Sequence, residues 1–323
     1  RRRLSRATPE VISPATWVAG LLTLSACVWG IAENGKIVRH YPDPIFALET
    51  IADSSCYGRS GGSPGIGEAC KLGGREQRLA VIGDGHAATL FNPLHRRLQG
   101  SAIGFRAVAG PYCAPLFDFA NVSYSDPGCA SATSKALNAI IDDSNIDVVV
   151  LYAQWANYTR GSRDGNPPSP VSYQGTIARS PEANPELFAA ALERTLYSLV
   201  SAGKRVVLVT STPEFRLRVL DQRSRNWLLG THFTAPRAAT SAYYLRNGDV
   251  LKLFEQHARH PGISVLDAQT LFCAEGLCEA MDRDDRVLFS DNSHLSGPGA
   301  EVLSDAILRH IAHSILLEGA QGL

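Results

Sequence analysis

Apolar positions follow two rhythms along this chain. Residues 79–82, 103–109, 147–152, 205–210 and 263–266 are short runs dominated by Val, Ile and Leu, with little polar alternation. Parallel strands buried on both faces read this way. Between the runs lie stretches with helical spacing, at 131–145, 184–203, 249–259 and 298–316. The clearest is 184–203, where Leu187, Ala191, Leu192, Thr195, Leu196 and Leu199 form one stripe. Asn184 reads as its N-cap, Pro185 suits the first turn and Gly203 stops it. A helix is also expected directly after the first run, kinked or ended by Pro93. Strands alternating with helices predict an α/β fold, a three-layer sandwich around a five-stranded parallel sheet. Ligands in such sheets bind beyond the carboxyl ends of the strands. Residues 156–182 and 212–247 are longer, polar connections of the kind that are often functional.

The N-terminal pattern differs. Arg1, Arg2, Arg3 and Arg6 precede an uncharged stretch from 11 to 32. That is about the length a bilayer-crossing helix needs, roughly 20 residues. The arginine flank predicts a cytoplasmic N-terminal side and an exported remainder. A buried core helix is the alternative, and Leu24-Ser25-Ala26-Cys27 also matches a lipoprotein signal, which would export the domain too. The organisation expected is a flank and transmembrane helix at 1–33, a periplasmic linker with a disulfide loop at 34–77, and one domain at 78–323.

Six of the seven cysteines are sequence neighbours in pairs: Cys56 with Cys70, Cys113 with Cys129, Cys273 with Cys278. None has zinc-site spacing, so three local disulfides in an oxidising compartment are expected, against six reduced thiols in a cytosolic protein. With 31 Lys plus Arg against 31 Asp plus Glu, the chain has no basic field for nucleic acid. No nucleotide-binding loop, dinucleotide fingerprint or metal triad occurs, so no cofactor is expected.

Candidate chemistry sits where the first apolar run ends, in Gly83-Asp84-Gly85-His86-Ala87. A strand feeding a sharp turn and then a helix exposes one side chain beside free N–H groups, a place suited to a nucleophile. Here the apex residue is Gly85, which has no side chain. Far downstream, Asp291 precedes His294 by one turn, just before a helix that Ser296 can cap. A carboxylate holding an imidazole in one tautomer makes the base that activates a hydroxyl. Taken alone, an Asp-x-x-His is as consistent with a polar surface turn. His86 could itself act as a base, or be a hydrogen-bonded imidazole at a helix start.

Gly83-Asp84-Gly85-His86-Ala87 resembles the Gly-Asp-Ser-His-Ala block of the SGNH hydrolase superfamily, with Gly85 in place of Ser. Asp291-x-x-His294-Leu295-Ser296 is similar to its last block. Cys113-Ala114-Pro115, Trp155 and Leu271-Phe272-Cys273 to Cys278 resemble one branch, the SGNH domain fused after the membrane domain of acyltransferase family 3 proteins. The likeness spans roughly residues 40–316, and residues 11–32 would match the last membrane helix of such a fusion. The resemblance implies a flavodoxin-like fold and acetyl transfer to a bacterial cell-surface polysaccharide. A bacterial glycan is the implied acceptor, and an acyl-donating membrane domain in the same full-length chain the implied partner. The domain would lie in the periplasm on the inner membrane. His294 and Asp291 would be base and orienter, with the N–H of residue 85 in an oxyanion hole. The superfamily's Asn block is absent after the third run, leaving Gln154, the N–H of Trp155 and the N–H of Gly110 as oxyanion or binding candidates. Gly85 leaves three readings: an engineered inactivation, a natural loss that leaves a carbohydrate-binding module, or another hydroxyl such as that of Ser293 in its place. A free-standing esterase lipoprotein is the remaining alternative.

Overall fold

All five apolar runs become neighbours in one sheet, because none can satisfy its backbone or bury its side chains alone. The computed structural model describes residues 70–125, 128–161 and 169–321, with side chains as far as 313. In chain order the elements are β1 (Cys70–Gly73), β2 (Glu76–Gly83), α1 (Gly85–Ala88), α2 (Phe91–Leu98), β3 (Ile103–Ala109), β4 (Phe119–Asn121), α3 (Cys129–Ile141), β5 (Val148–Tyr152) and α4 (Ala156–Thr159). Then come β6 (Val171–Tyr173), β7 (Thr176–Ile177), α5 (Asn184–Ser201), β8 (Arg205–Val209), α6 (Val219–Leu228), β9 (Arg237–Ala239) and α7 (Thr240–His257). The last are β10 (Ile263–Leu266), β11 (Cys273–Ala274), β12 (Leu277–Glu279) and α8 (Gly297–Gln321).

The main sheet has the order β1-β3-β2-β5-β8-β10, with six strands rather than the expected five. Five are parallel; β1 runs antiparallel on the edge of β3, pairing Cys70 with Ala107 and Gly73 with Gly104. This sixth strand lies in the stretch that reads as linker. Its Cys-Lys-Leu-Gly sequence is half exposed and has no apolar run to announce it. An edge strand needs no second buried face.

Alternate residues of β2 feed two cores. Leu79 and Val81 pack with α2 and α8 through Phe91, Leu94, Leu303 and Ile307. Ala80 and Ile82 pack with α3, α5 and α7 through Leu137, Ile140, Phe188, Leu196 and Phe254. The sheet is therefore the middle layer of three. Each fully buried Leu, Ile or Phe contributes about 1.5–3 kcal/mol, so the two faces fix the register of the strand.

Several local expectations shift. The helix after β2 breaks at Thr89–Leu90, a turn before Pro93; Pro93 then lies in the first turn of α2, where no backbone donor is lost. Asn184 does not cap α5. Its side chain accepts from the N–H of Val171 (3.0 Å) and donates to the carbonyl of Ser169 (2.9 Å), tying α5 to β6. Gly203 does close α5, at φ +75°. The first long connection carries β6 and β7, which pair with β4 in one small sheet; the second carries α6 and β9, the latter in a sheet with β11 and β12. Disulfides join Cys113 to Cys129 and Cys273 to Cys278 as expected. Cys70 is also disulfide-bonded; its expected partner Cys56 lies outside the described residues, as do residues 11–32. Among the described residues no helix is long and apolar enough to cross a membrane.

Candidate active site

The order of the parallel strands reverses between β2 and β5, and sheets of this kind bind ligands beyond the carboxyl ends of the strands at such a point. Gly83 closes β2 where it meets Tyr152 of β5. A Cβ on Gly83 would lie 1.7 Å from the Tyr152 carbonyl oxygen, so this approach requires glycine. Gly85 is a different case. It opens α1 and is not among the residues with positive φ, so an L side chain fits its backbone. The Gly85 N–H has no hydrogen-bond partner among the described residues, as expected at a helix start.

Asp84 caps α1 and is the hub of the turn. Its Oδ1 accepts from the His86 N–H at 2.9 Å and from His86 Nδ1 at 3.1 Å. Its Oδ2 accepts from the Gln154 N–H and the Tyr158 hydroxyl, both at 3.1 Å. Burial raises its pKa, but His86 by charge and hydrogen bonds outweighs that, and the net shift is downward. Asp84 is therefore an ionised, buried acceptor.

The segment 291–294 folds over this turn. Phe289 and Leu295 bridge across it, and Phe289 is buried against Phe215 (4.8 Å) and Phe272 (5.2 Å). Asp291 Oδ1 accepts from the N–H groups of Ser293 (2.9 Å) and His294 (2.7 Å), and Oδ2 meets His294 Nδ1 at 2.8 Å. Ser296 caps α8, accepting from the Gly299 N–H at 3.3 Å. The sequence places the two rings 208 residues apart; the structure stacks the His294 ring on the His86 ring, centroids 3.8 Å apart and 12° from parallel. Thus position 85 directly precedes the ring on which His294 stacks.

The two imidazoles titrate in opposite directions. Burial lowers the pKa of His86, and the neighbouring His294 lowers it further against the pull of Asp84. Burial also opposes charge on His294, but the hydrogen bond and charge of Asp291 overcome it and raise its pKa. The same contacts hold Asp291 well below the usual carboxylate range against its own burial. His294 keeps 35% of its side chain exposed, and its Nε2 has no partner among the described residues. An imidazole held through Nδ1 with Nε2 open can take a proton from a hydroxyl.

The other candidates are more committed. The Gln154 N–H serves Asp84, its Nε2 makes only a long 3.5 Å contact to the Thr212 carbonyl, and its Oε1 has no partner among the described residues. Trp155 is fully buried; its N–H donates to Ser211 Oγ (3.0 Å) and its indole to the Val209 carbonyl (2.8 Å), so both donors are already engaged. The Gly110 N–H is tied to the Gly83 carbonyl by a long 3.4 Å contact. Ser293 Oγ sits 3.1 Å from His86 Nε2. The chain's motifs do not announce Tyr152, Tyr158, Ser211 or Thr212. The one signal for the last two is three polar residues, Thr210-Ser211-Thr212, directly after the apolar run of β8. Among the described residues no group of three His, Cys, Asp or Glu could hold a metal ion.

A family model described as "SGNH domain (fused to AT3 domains)" matches residues 55–309. The chain belongs to this family. The fold is shared with the periplasmic domain of a lipopolysaccharide acetyltransferase from Salmonella ser. Paratyphi A: 19% identity, TM-score 0.53, covering 83% of this chain and 95% of that one. A putative acylhydrolase from Bacteroides fragilis matches more loosely, with 12% identity and TM-score 0.42 over 77% of this chain and 93% of that one. So does a catalytic mutant of an acetylxylan esterase from Geobacillus stearothermophilus, with 15% identity and TM-score 0.38 over 75% and 96%. A comparison with curated proteins finds no match. The chain is thus an SGNH domain built on an α/β sheet of mainly parallel strands.

Proposed function

We propose that this chain is the extracytoplasmic part of a bacterial O-acyltransferase that places acetyl groups on hydroxyls of a cell-surface polysaccharide. In this reading His294 is the base and Asp291 its orienter. The Gly85 N–H would stabilise the oxyanion. The carrying observation is the stacked His86–His294 pair, an Asp-held imidazole on the ring that follows position 85 in the chain. The bonded cysteines and the likeness to a periplasmic acetyltransferase domain support a periplasmic location. An acyl-donating membrane domain would lie in the same full-length protein, with residues 11–32 as its last span, tethered to a domain whose sheet includes β1 from Cys70 onward.

Gly85 removes the hydroxyl from the usual nucleophile position, so the route through that position is closed in this chain. That supports a second reading, a carbohydrate-binding module of the same fold. The experiment is to incubate the Gly85→Ser protein with an activated acetyl ester and a bacterial polysaccharide, then assay acetyl on the glycan. Acetylated glycan that depends on the substitution supports the transferase. Acetate alone indicates an esterase. Glycan binding with neither product would leave the module.

A further inference from the structure

The proposed route leaves one imidazole without a task, and its surroundings have the order of parts that activates a hydroxyl. The ionised carboxylate of Asp84 can only accept hydrogen bonds, so the proton between it and His86 sits on Nδ1. Burial and the adjacent His294 disfavour a second proton on this ring. Its Nε2 therefore carries a lone pair, and the group facing it at 3.1 Å is the Ser293 hydroxyl. Only the hydroxyl can donate across that contact. Ser293 Oγ has no other partner among the described residues. Its backbone is fixed at both ends, by the N–H to Asp291 Oδ1 and by the Thr212 hydroxyl on its carbonyl at 3.2 Å. Carboxylate, imidazole and hydroxyl thus form one chain whose first two members flank Gly85 in sequence. A hydroxyl needed only to pin a loop would be served equally by a backbone carbonyl or a carboxylate. Pairing it with the lone pair of a carboxylate-held imidazole is the arrangement of nucleophilic catalysis.

We propose that Ser293 is an acyl-accepting nucleophile, with His86 as its base and Asp84 as the orienter, next to the turn where position 85 has no side chain. This rests on the acyl-ester chemistry proposed above. The donor is a carboxylic ester or thioester. Ser293 Oγ bonds to the carbonyl carbon while its proton passes to His86 Nε2. The tetrahedral intermediate collapses, the bond from carbonyl carbon to the leaving oxygen or sulfur breaks, and the leaving group takes the proton from His86. A sugar hydroxyl or water then attacks the acyl-serine, giving its proton to His86. Ser293 departs and recovers that proton. No electrons are exchanged with an outside reagent and the enzyme is regenerated.

The test uses the full chain with a fluorophosphonate probe, the adduct being located by peptide mass spectrometry. The account expects one adduct per chain, on Ser293, absent from Ser293→Ala and formed at least about tenfold more slowly in His86→Gln. A second variant guards against misfolding. In Ser293→Cys, iodoacetamide should alkylate residue 293 at least about tenfold faster than in Ser293→Cys with His86→Gln, because the imidazole supplies the thiolate. Equal alkylation rates would overturn the role of His86. No adduct in the chain as it stands, with an adduct at position 85 in Gly85→Ser, would overturn Ser293 alone and leave the proposed function intact. No adduct in either protein would sink both.

Discussion

Asp84–His86 and Asp291–His294 are the same two residue types, stacked ring on ring, yet the fold gives them opposite characters. The first pair sits in the turn after β2, with the imidazole closed in on every side and its far nitrogen on Ser293. The second lies on a loop bracketed by Phe289 and Leu295, with its far nitrogen open and the side chain about one-third exposed. Burial dominates the first and lowers its affinity for a proton; the carboxylate dominates the second and raises it. Two parallel imidazoles 3.8 Å apart resist carrying a charge each, so the first proton belongs to His294. Sequence spacing could not assign these characters. They follow from how deeply each turn is buried.

The comparison can be broken most forcefully at Asp291. In a Gly85→Ser background, Asp291→Asn should lower turnover of an activated acetyl ester by about 10⁴-fold, as loss of an orienting carboxylate does elsewhere. A loss under tenfold would mean that His294 is oriented by something else. Next comes the bracket. Phe289→Ala should cost about 3–5 kcal/mol, read by denaturant unfolding, because it empties a fully buried aromatic site between Phe215 and Phe272. Trp155→Phe should cost about 1–3 kcal/mol, since the Val209 carbonyl loses a buried donor. A change within error would mean that water replaces the indole.

The mildest probe is pH. A Gly85→Ser enzyme needs His294 neutral, so its kcat/KM should fall as pH drops through a midpoint above the ordinary 6.5 of histidine. Stability carries the signs separately. His294, with its native pKa raised, stabilises the fold fully below 6.5 and loses that contribution as pH rises through its native value. His86, with its native pKa lowered, costs stability as pH falls from 6.5 towards its native value, because the unfolded chain takes up a proton the native state refuses. Ring NMR titration of both histidines checks this; the same direction of shift in both would contradict it.

The five parallel strands were legible because each is a closed apolar run, and β3 and β10 match their expected bounds. The antiparallel strand Cys70–Gly73 was not, since an edge held by backbone bonds leaves no apolar signature. Asn184 misled for a related reason: an Asn before Pro-Glu reads as a cap, while tertiary contact recruits its amide to β6. At the site, Gly85, His294 and Asp291 stood out as motifs. The hub role of Asp84 did not, because it depends on Gln154 and Tyr158 arriving from another strand end. Gln154 and Trp155 were found as positions, yet which of their donors are already engaged is a property of packing. Ser293 was visible only as one hydroxyl among many until the fold placed it on His86.

The central claim is that position 85 and His294 share one site for acyl transfer. The most direct measurement is steady-state turnover of 4-nitrophenyl acetate by Gly85→Ser, with and without His294→Ala. The account predicts a gain over the chain as it stands of at least about 10³-fold, abolished by the second substitution. Turnover unchanged by Gly85→Ser, or a gain that survives His294→Ala, would contradict it.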